Sequence, residues 1–336
     1  MIWRRSLAVI ASLLAVVALA TASRAAEPRR YTIAFANVTE EPGETIEGTG
    51  FTGADVRQSF ALAARTLPVD LVFYDNHRDG AKALANAADA IKRKVDLYIQ
   101  YFPSASVNKD VAEMMKAAGI PVLALNHPVP GAPLYGIDNR VAGQIAGEAL
   151  ARFAAGAWSG QPAVAVIVGN LGDQANGLPE RAQGAREALA RALPPSRIAA
   201  LDTRGNPSQV GALLGKTAAA HPNTRLLVAA MDDATALAAK SALDAIGRTG
   251  DAAIAGSGCD RSVHGGQNDK KEIDPNNRGS VVIGSVAFLL DRAGYAALPL
   301  ALRMLRGEAI PPRTPTPHVL ITAANVWREY PPSDMQ

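Results

Sequence analysis

Short, unbroken apolar runs alternate along this chain with longer Ala-rich stretches of helical period. No other feature constrains the fold as strongly. Tyr31–Ala36 (YTIAFA), Val69–Asp75 (VDLVFYD), Asp96–Phe102 (DLYIQYF) and Pro121–Asn126 (PVLALN) read as strands. Helices are expected over Asp55–Ala64, Ala81–Lys94 and Ser106–Ala118, the last stopped by Gly119. The rhythm repeats downstream, with strands at Val164–Gly169, Ile198–Asp202, Leu226–Met231 and Ala252–Gly256. The helices there span Glu180–Leu193, Gln209–Ala220 and Thr235–Ile246. A strand that is apolar throughout, rather than at alternate positions, is buried on both faces. In an α/β chain that means a parallel strand covered by helices, with right-handed crossovers. The expected architecture is α/β, with two Rossmann-like lobes and parallel sheets, joined near Gly136–Asn139.

Composition agrees with two cores of this kind. The chain has 336 residues, 48% of them hydrophobic and only 5% aromatic, so Ala, Val, Leu and Ile must fill the interiors. A net charge of +3 gives no basic surface and no reason to expect a nucleic-acid partner. A lone cysteine, Cys259, excludes an internal disulfide.

Residues 1–26 read as a signal peptide. Arg4 and Arg5 precede an apolar run from Ser6 to Ala22, and the small residues Ala20-Thr21-Ala22 and Ser23-Arg24-Ala25 offer cleavage sites. Cleavage near Ala22 or Ala25 would release a soluble, near-neutral protein into the periplasm.

Polar residues gather at the carboxyl ends of the strands, where ligands of such sheets bind. They include Asn37, Asp75, Asn126 and His127, Asp138 and Asn139, Asp232 and Asp233, and Asp260. Two segments break the rhythm: the acidic, Gly-rich Glu40–Thr52 and the polar stretch Ser262–Gly279. Segments of that length in compact domains are as a rule functional or mobile. Gly48-Thr49-Gly50-Phe51-Thr52-Gly53 matches GxGxxG, but a dinucleotide fingerprint follows its strand directly, and this one trails Ala36 at a distance. No G-x-S-x-G or H-E-x-x-H occurs, and His77, His127, His221, His264 and His318 show no ligand spacing. Cys259 reads as a structural thiol and Asp232-Asp233 as a hydrogen-bonding and capping pair. Neither catalytic residues, nor a cofactor, nor a metal are expected, and the chain does not read as an enzyme.

Several stretches together resemble the type I periplasmic binding proteins, in particular the sugar-binding group of ABC transporters similar to ribose-binding protein. They are YTIAFANVTEE at 31–41, AAGIPVLALNHPVPGAPLYGIDNRVAGQIAGEAL at 117–150, ERAQGAREAL at 180–189 and AHPNTRLLVAAMDDATALAAKSAL at 220–243. IAGSGCD at 254–260 and GSVAFLLDRAGYAALPLALRMLRGEAIPP at 284–312 complete the set. The resemblance implies an N-terminal lobe of 31–137 plus 288–312 and a C-terminal lobe of 138–287 plus 313–336. Three segments would cross between them, near Gly136–Asn139, Phe288 and Arg313. It implies a monomer that holds a small polar ligand, a sugar or sugar alcohol, in the cleft and hands it to a membrane ABC permease. A sensor receptor as partner, or a secreted α/β enzyme, are the alternatives. By position, the implied ligand-binding residues are Asn37, Phe51, Tyr101, Asn126, His127, Arg181, Asp232, Asp260 and Phe288, with Phe51 and Phe288 packing against the sugar's ring face. Three positions depart from the pattern: Asn126 replaces an Asp, Met231 an Asn and Phe288 a Gln. Each swap removes hydrogen-bonding capacity, and a buried hydroxyl left unpaired costs about 1–3 kcal/mol. The implied ligand is less hydroxylated than a hexose, or differently seated.

Overall fold

A computed structural model of the chain describes residues 29–265, 271–277 and 280–331. The expected signal peptide, 1–26, lies outside the described residues, as do Asn268, Asp269 and Lys270 of the polar stretch. Among the described residues no helix is long and apolar enough to cross a membrane.

The chain builds two six-stranded sheets. In the first, β1 (Tyr31–Asn37), β2 (Val69–Asp75), β3 (Leu97–Gln100), β4 (Val122–Leu125), β5 (Leu134–Gly136) and β11 (Arg313–Pro315) lie in the order β11-β5-β4-β3-β1-β2. Every pairing is parallel. In the second, β6 (Ala163–Gly169), β7 (Ile198–Asp202), β8 (Arg225–Ala230), β9 (Ala252–Gly258), β10 (Val282–Ala287) and β12 (Val319–Ile321) lie in the order β12-β10-β9-β8-β6-β7. All are parallel except β12, which runs antiparallel to β10. The two lobes and their parallel sheets match the expectation from strand patterning.

One boundary differs. The sequence reading assigns 313–336 to the second lobe, yet Arg313–Pro315 forms the edge strand of the first sheet. Backbone pairing holds it there: Leu134 donates to the Pro312 carbonyl at 2.9 Å and Thr316 to the Gly136 carbonyl at 2.9 Å. An edge strand tolerates the missing donor of Pro315. The third crossing is therefore at 316–318. The other two fall at 137–138 and between Ala287 and the helix Ala293–Leu305, which packs on the first lobe. There Gly294 donates to Ser59 Oγ at 3.0 Å, and a Cβ at Gly294 would come within 2.5 Å of the Phe60 backbone.

The helices start where side chains can satisfy their free amides. Thr52 and Asp55 form a reciprocal cap on α1 (Gly53–Ala64). Asp79 caps α2 (Gly80–Lys92) and Ser104 caps α3 (Ala105–Ala118), which ends on Gly119 at φ +70°. Asp138 caps α4 (Asn139–Ala157). This helix packs tightly against α5 (Leu178–Leu189) because glycines meet at the contact. A Cβ at Gly143 would lie 1.9 Å from the Arg181 carbonyl oxygen, and one at Gly184 2.0 Å from that of Arg140. That close approach puts the Arg181 side chain beneath the first crossing.

Candidate functional site

A cavity of about 590 Å³ opens between the lobes beside the first crossing. The first lobe lines it with Glu47, Asn108, Asn126, His127 and Arg313, and the second with Asn139, Arg140, Gln174, Asn176 and Glu180. Pro103, Pro128, Leu134 and Ile137 supply apolar wall.

The first-lobe wall is a connected polar network. Tyr101 Oη donates to Glu47 Oε1 at 2.7 Å, and His127 Nε2 lies 3.0 Å from the same oxygen. Asn126 Nδ2 donates to Tyr101 Oη at 3.2 Å, while its Oδ1 accepts from the Ile137 amide at 3.2 Å. The Tyr101 and His127 rings stack with centroids 5.9 Å apart. Asn126 takes a left-handed backbone, φ +57°, and Gly136 passes so close that a Cβ there would meet the Asn126 Cα at 2.7 Å. Glu47 is buried. Burial pushes its carboxyl up, but the charge of His127, the hydrogen bonds from His127 and Tyr101 and the charge of Arg181 outweigh that. The net result is a pKa below the usual carboxylate range. Burial, and the Glu47 charge beside it, push the Tyr101 phenol well up.

The second lobe contributes Arg181, fully buried. Its Nε and Nη2 donate to Asn139 Oδ1 at 2.9 and 2.6 Å, and Nη1 donates to the Met231 carbonyl. The guanidinium stands 4.7 Å from the centroid of the Phe288 ring, itself buried. Burial pulls the guanidinium down to about 10, with the charges of Asp232 and Glu47 opposing. Asp232, Asp233 and Asp260 of the second lobe bind the chain itself. Asp232 Oδ1 accepts from the Thr235 amide at 2.6 Å and caps α6 (Asp233–Ala245). Asp233 accepts from Ser285 Oγ at 2.6 Å and the Asp260 amide at 2.9 Å. Burial, then the charge of Asp260, raise its carboxyl well above the usual range. Asp260 accepts from the Ser262 amide at 2.8 Å and, across the cleft, from the Gly50 amide at 2.6 Å.

Of the nine residues expected at the site, Asn126 and His127 line the cavity. Tyr101 and Arg181 stand directly behind lining residues. Asn37 is buried and fastens the β1–α1 connection, donating to the Gly53 carbonyl at 2.8 Å and accepting from the Val38 amide at 3.0 Å. Phe51 lies in the first-lobe core, 6% exposed, and Phe288 lies under Arg181 rather than on the cavity wall. Asp232 and Asp260 lie outside the lining and are engaged by backbone amides.

Sequence reasoning singled out the Glu40–Thr52 segment but not Glu47 within it. Four glutamates stand there, and spacing alone does not distinguish them. The structure places Glu47 in the cleft and Glu44 on the surface, paired with Arg78 at 2.8 Å. The GxGxxG glycines close the same segment. The Gly50 amide, which a phosphate would require, already points at the Asp260 carboxylate.

The adjacency of β1 and β2 also assembles Glu41, Asp75 and His77, which no spacing revealed. His77 Nδ1 lies 2.8 Å from Glu41 Oε1 and 3.3 Å from Asp75 Oδ2 on an exposed rim, so the imidazole itself links the two carboxylates.

Residues 47–309 match the model of the periplasmic binding protein domain family. No curated protein matches the chain in sequence. Among solved structures, the chain is similar to the sugar-binding protein of a sugar ABC transporter from Bacillus halodurans. The TM-score is 0.67 at 18% identity, over 90% of this chain and 100% of that one. It is similar to an ABC transporter solute-binding protein from Mycobacterium smegmatis with bound glycerol, TM-score 0.65 at 19% identity, over 89% and 96% of the two chains. The same holds for a periplasmic solute-binding protein from Actinobacillus succinogenes with bound D-allose, TM-score 0.65 at 19% identity, over 90% and 100%. At these identities the likeness is one of fold.

Proposed function

The chain belongs to the periplasmic binding protein domain family, and from that premise we propose that it captures a sugar or sugar alcohol between its lobes and delivers it to an ABC permease. The observation that carries this reading is the polar cavity, walled by both lobes and set beside the crossings about which they would close. Closure about three short crossings is a hinge motion. It expels water from the cleft, and each hydrogen bond made there then strengthens. Asn126 and His127 meet the ligand directly. Tyr101 and Arg181 hold the lining in place from behind, the former through Glu47 and Asn126, the latter through Asn139. Asp260 acts through Gly50, tying the first-lobe segment to the second lobe. The protein acts as a monomer in the periplasm, after cleavage near Ala22 or Ala25. Similar folds hold glycerol, allitol, myo-inositol and D-allose, which defines the ligand panel.

The test is a thermal-shift series of the mature protein against those four compounds. A ligand bound only by the native state at a hundredfold excess over its Kd adds about 2.7 kcal/mol of stability, and the melting temperature rises accordingly. A panel with no shift, and no compaction in small-angle scattering, overturns the reading.

A further inference from the structure

Two of the polar residues that line the cavity are buried, Glu47 and Asn108. Asn108 is fully engaged by the chain: its Oδ1 accepts from Gln100 Nε2 at 3.0 Å, and its Nδ2 donates to the carbonyls of Phe102 and Pro128. The neighbouring amide acceptors are also taken. Asn126 Oδ1 receives the Ile137 amide, and Asn139 Oδ1 receives two N–H groups of Arg181. Glu47 differs. Both of its contacts fall on Oε1, from Tyr101 and His127. Oε2 accepts no hydrogen bond from any described residue, and it is not among the sealed polar atoms left without a partner. A buried carboxylate of the cavity wall is thus held by one oxygen, while the other has no partner among the described residues.

We propose that Glu47 is a ligand-binding and specificity-determining residue, its Oε2 accepting from hydroxyl groups of the bound ligand. This rests on the reading of the cleft as a polyol or sugar site. A carboxylate oxygen carries two acceptor lone pairs and bonds hydroxyls more strongly than an amide oxygen does. Glu47 arrives on the Glu40–Thr52 segment, which also reaches the second lobe through the Gly50 amide and Asp260. A ligand that engages Glu47 therefore engages a segment that also reaches the second lobe at Asp260. Specificity follows from the geometry: a ligand whose hydroxyl at this point is methylated or absent leaves a charged acceptor buried without a donor, and is rejected.

The experiment is calorimetric titration of wild type and Glu47→Gln with glycerol, allitol, myo-inositol and D-allose. Glutamine keeps the size and an oxygen for Tyr101, and loses the charge. Affinity for the best ligand is expected to fall at least tenfold, with the ligand-free melting temperature moving by no more than a few degrees. Should Glu47→Gln unfold the segment instead, the double variant Glu47→Gln/Asn126→Asp restores a carboxylate beside Tyr101 and should recover part of the affinity. A failure of that variant to recover any affinity, with the fold intact, overturns the proposal. Equal affinity in wild type and Glu47→Gln overturns it as well, with the sugar-site reading left standing. Tighter binding by Glu47→Gln overturns it in favour of a segment that competes with ligand for the cleft. Wild-type protein that binds none of the four compounds ends the parent reading and this inference together.

Discussion

The strands of the first lobe carry aromatic rings at Tyr31, Phe35, Phe73, Tyr74, Tyr98 and Tyr135, whereas β6 to β10 of the second lobe carry none. Phe35 and Phe60 stack with centroids 4.2 Å apart, and Phe73 meets Phe35 edge-on. One face of the second sheet packs on Val, Leu, Ile and Ala, and on its other face Gly143 and Gly184 bring two helices into backbone contact. The polar residues follow the same division. First-lobe groups bond to one another, with Glu47 Oε2 accepting from no described residue, while Asp232, Asp233 and Asp260 of the second lobe bond to the chain's own amides. The strand order is the same in both; under the proposed function, the first lobe supplies the groups that meet the ligand and the second is the frame against which it closes.

The largest expected effect tests the division of the cores. Phe60→Ala removes half of the stack and should destabilise the first lobe by about 4 kcal/mol. Both tryptophans of the described residues, Trp158 and Trp327, belong to second-lobe elements, so fluorescence follows that lobe while far-ultraviolet dichroism follows both. In urea the dichroism of the variant should fall before the fluorescence changes. Coincident transitions would mean that the lobes unfold as one unit, and the comparison would fail.

Arg181→Met comes next. It leaves the Met231 carbonyl and Asn139 Oδ1 without their donor and the neighbouring acids without a cation, a loss of about 3 kcal/mol. Here the fluorescence transition should move first, and an unchanged melting curve would show that Arg181 does not hold the frame.

Gly50→Ala probes the tie between the lobes. Its Cβ would lie 2.5 Å from Asp260 Cγ, so the carboxylate must turn away from the Gly50 amide, at about 1 kcal/mol. A larger radius of gyration in ligand-free protein is the expected result; an unchanged one would assign the lobe contact to other groups.

The smallest effect concerns pH. Burial holds both His264 and His318 down at about 4, against an ordinary value of 6.5. Between those values the unfolded chain binds more protons than the folded one. Stability therefore falls as pH drops from 6.5 to about 4, and the two histidines add no further slope below that. His318 Nε2 accepts from the Asp138 amide at 3.1 Å, joining the third crossing to the first, and His264 stacks on Tyr330 in the second lobe. His318→Gln should flatten the acid limb through the crossings and His264→Gln through the second lobe. Equal profiles in wild type and both variants would remove this sensitivity from the two histidines.

The longest helix, Asn139–Ala157, shows why part of the fold was hard to read. Gly143, Gly147 and Gly156 lower its local propensity, and the first two find their reason in a partner helix that lies tens of residues away. β11 is hidden in the same way: Arg-Thr-Pro has no strand signal, and only an open edge beside β5 makes it one. The place of Asn126 and His127 on the cavity wall is legible because they follow directly on a strand of a parallel sheet. For Phe51 and Phe288 the sequence points to ring platforms while the structure buries both, because an aromatic at a cleft and an aromatic beneath it look alike in one dimension.

The sequence by itself determined the α/β class, the division into two lobes and the end of each sheet at which polar groups collect. Apolar periodicity and capping residues act over a few positions, and those are visible along a chain. The tertiary structure alone decided which glutamate of the acidic segment enters the cleft, which carboxylates are taken by backbone amides and which Glu47 oxygen has no partner among the described residues. Those outcomes depend on distances between residues far apart in sequence: 54 positions between Glu47 and Tyr101, 80 between Glu47 and His127, 210 between Gly50 and Asp260. No local pattern encodes separations of that length.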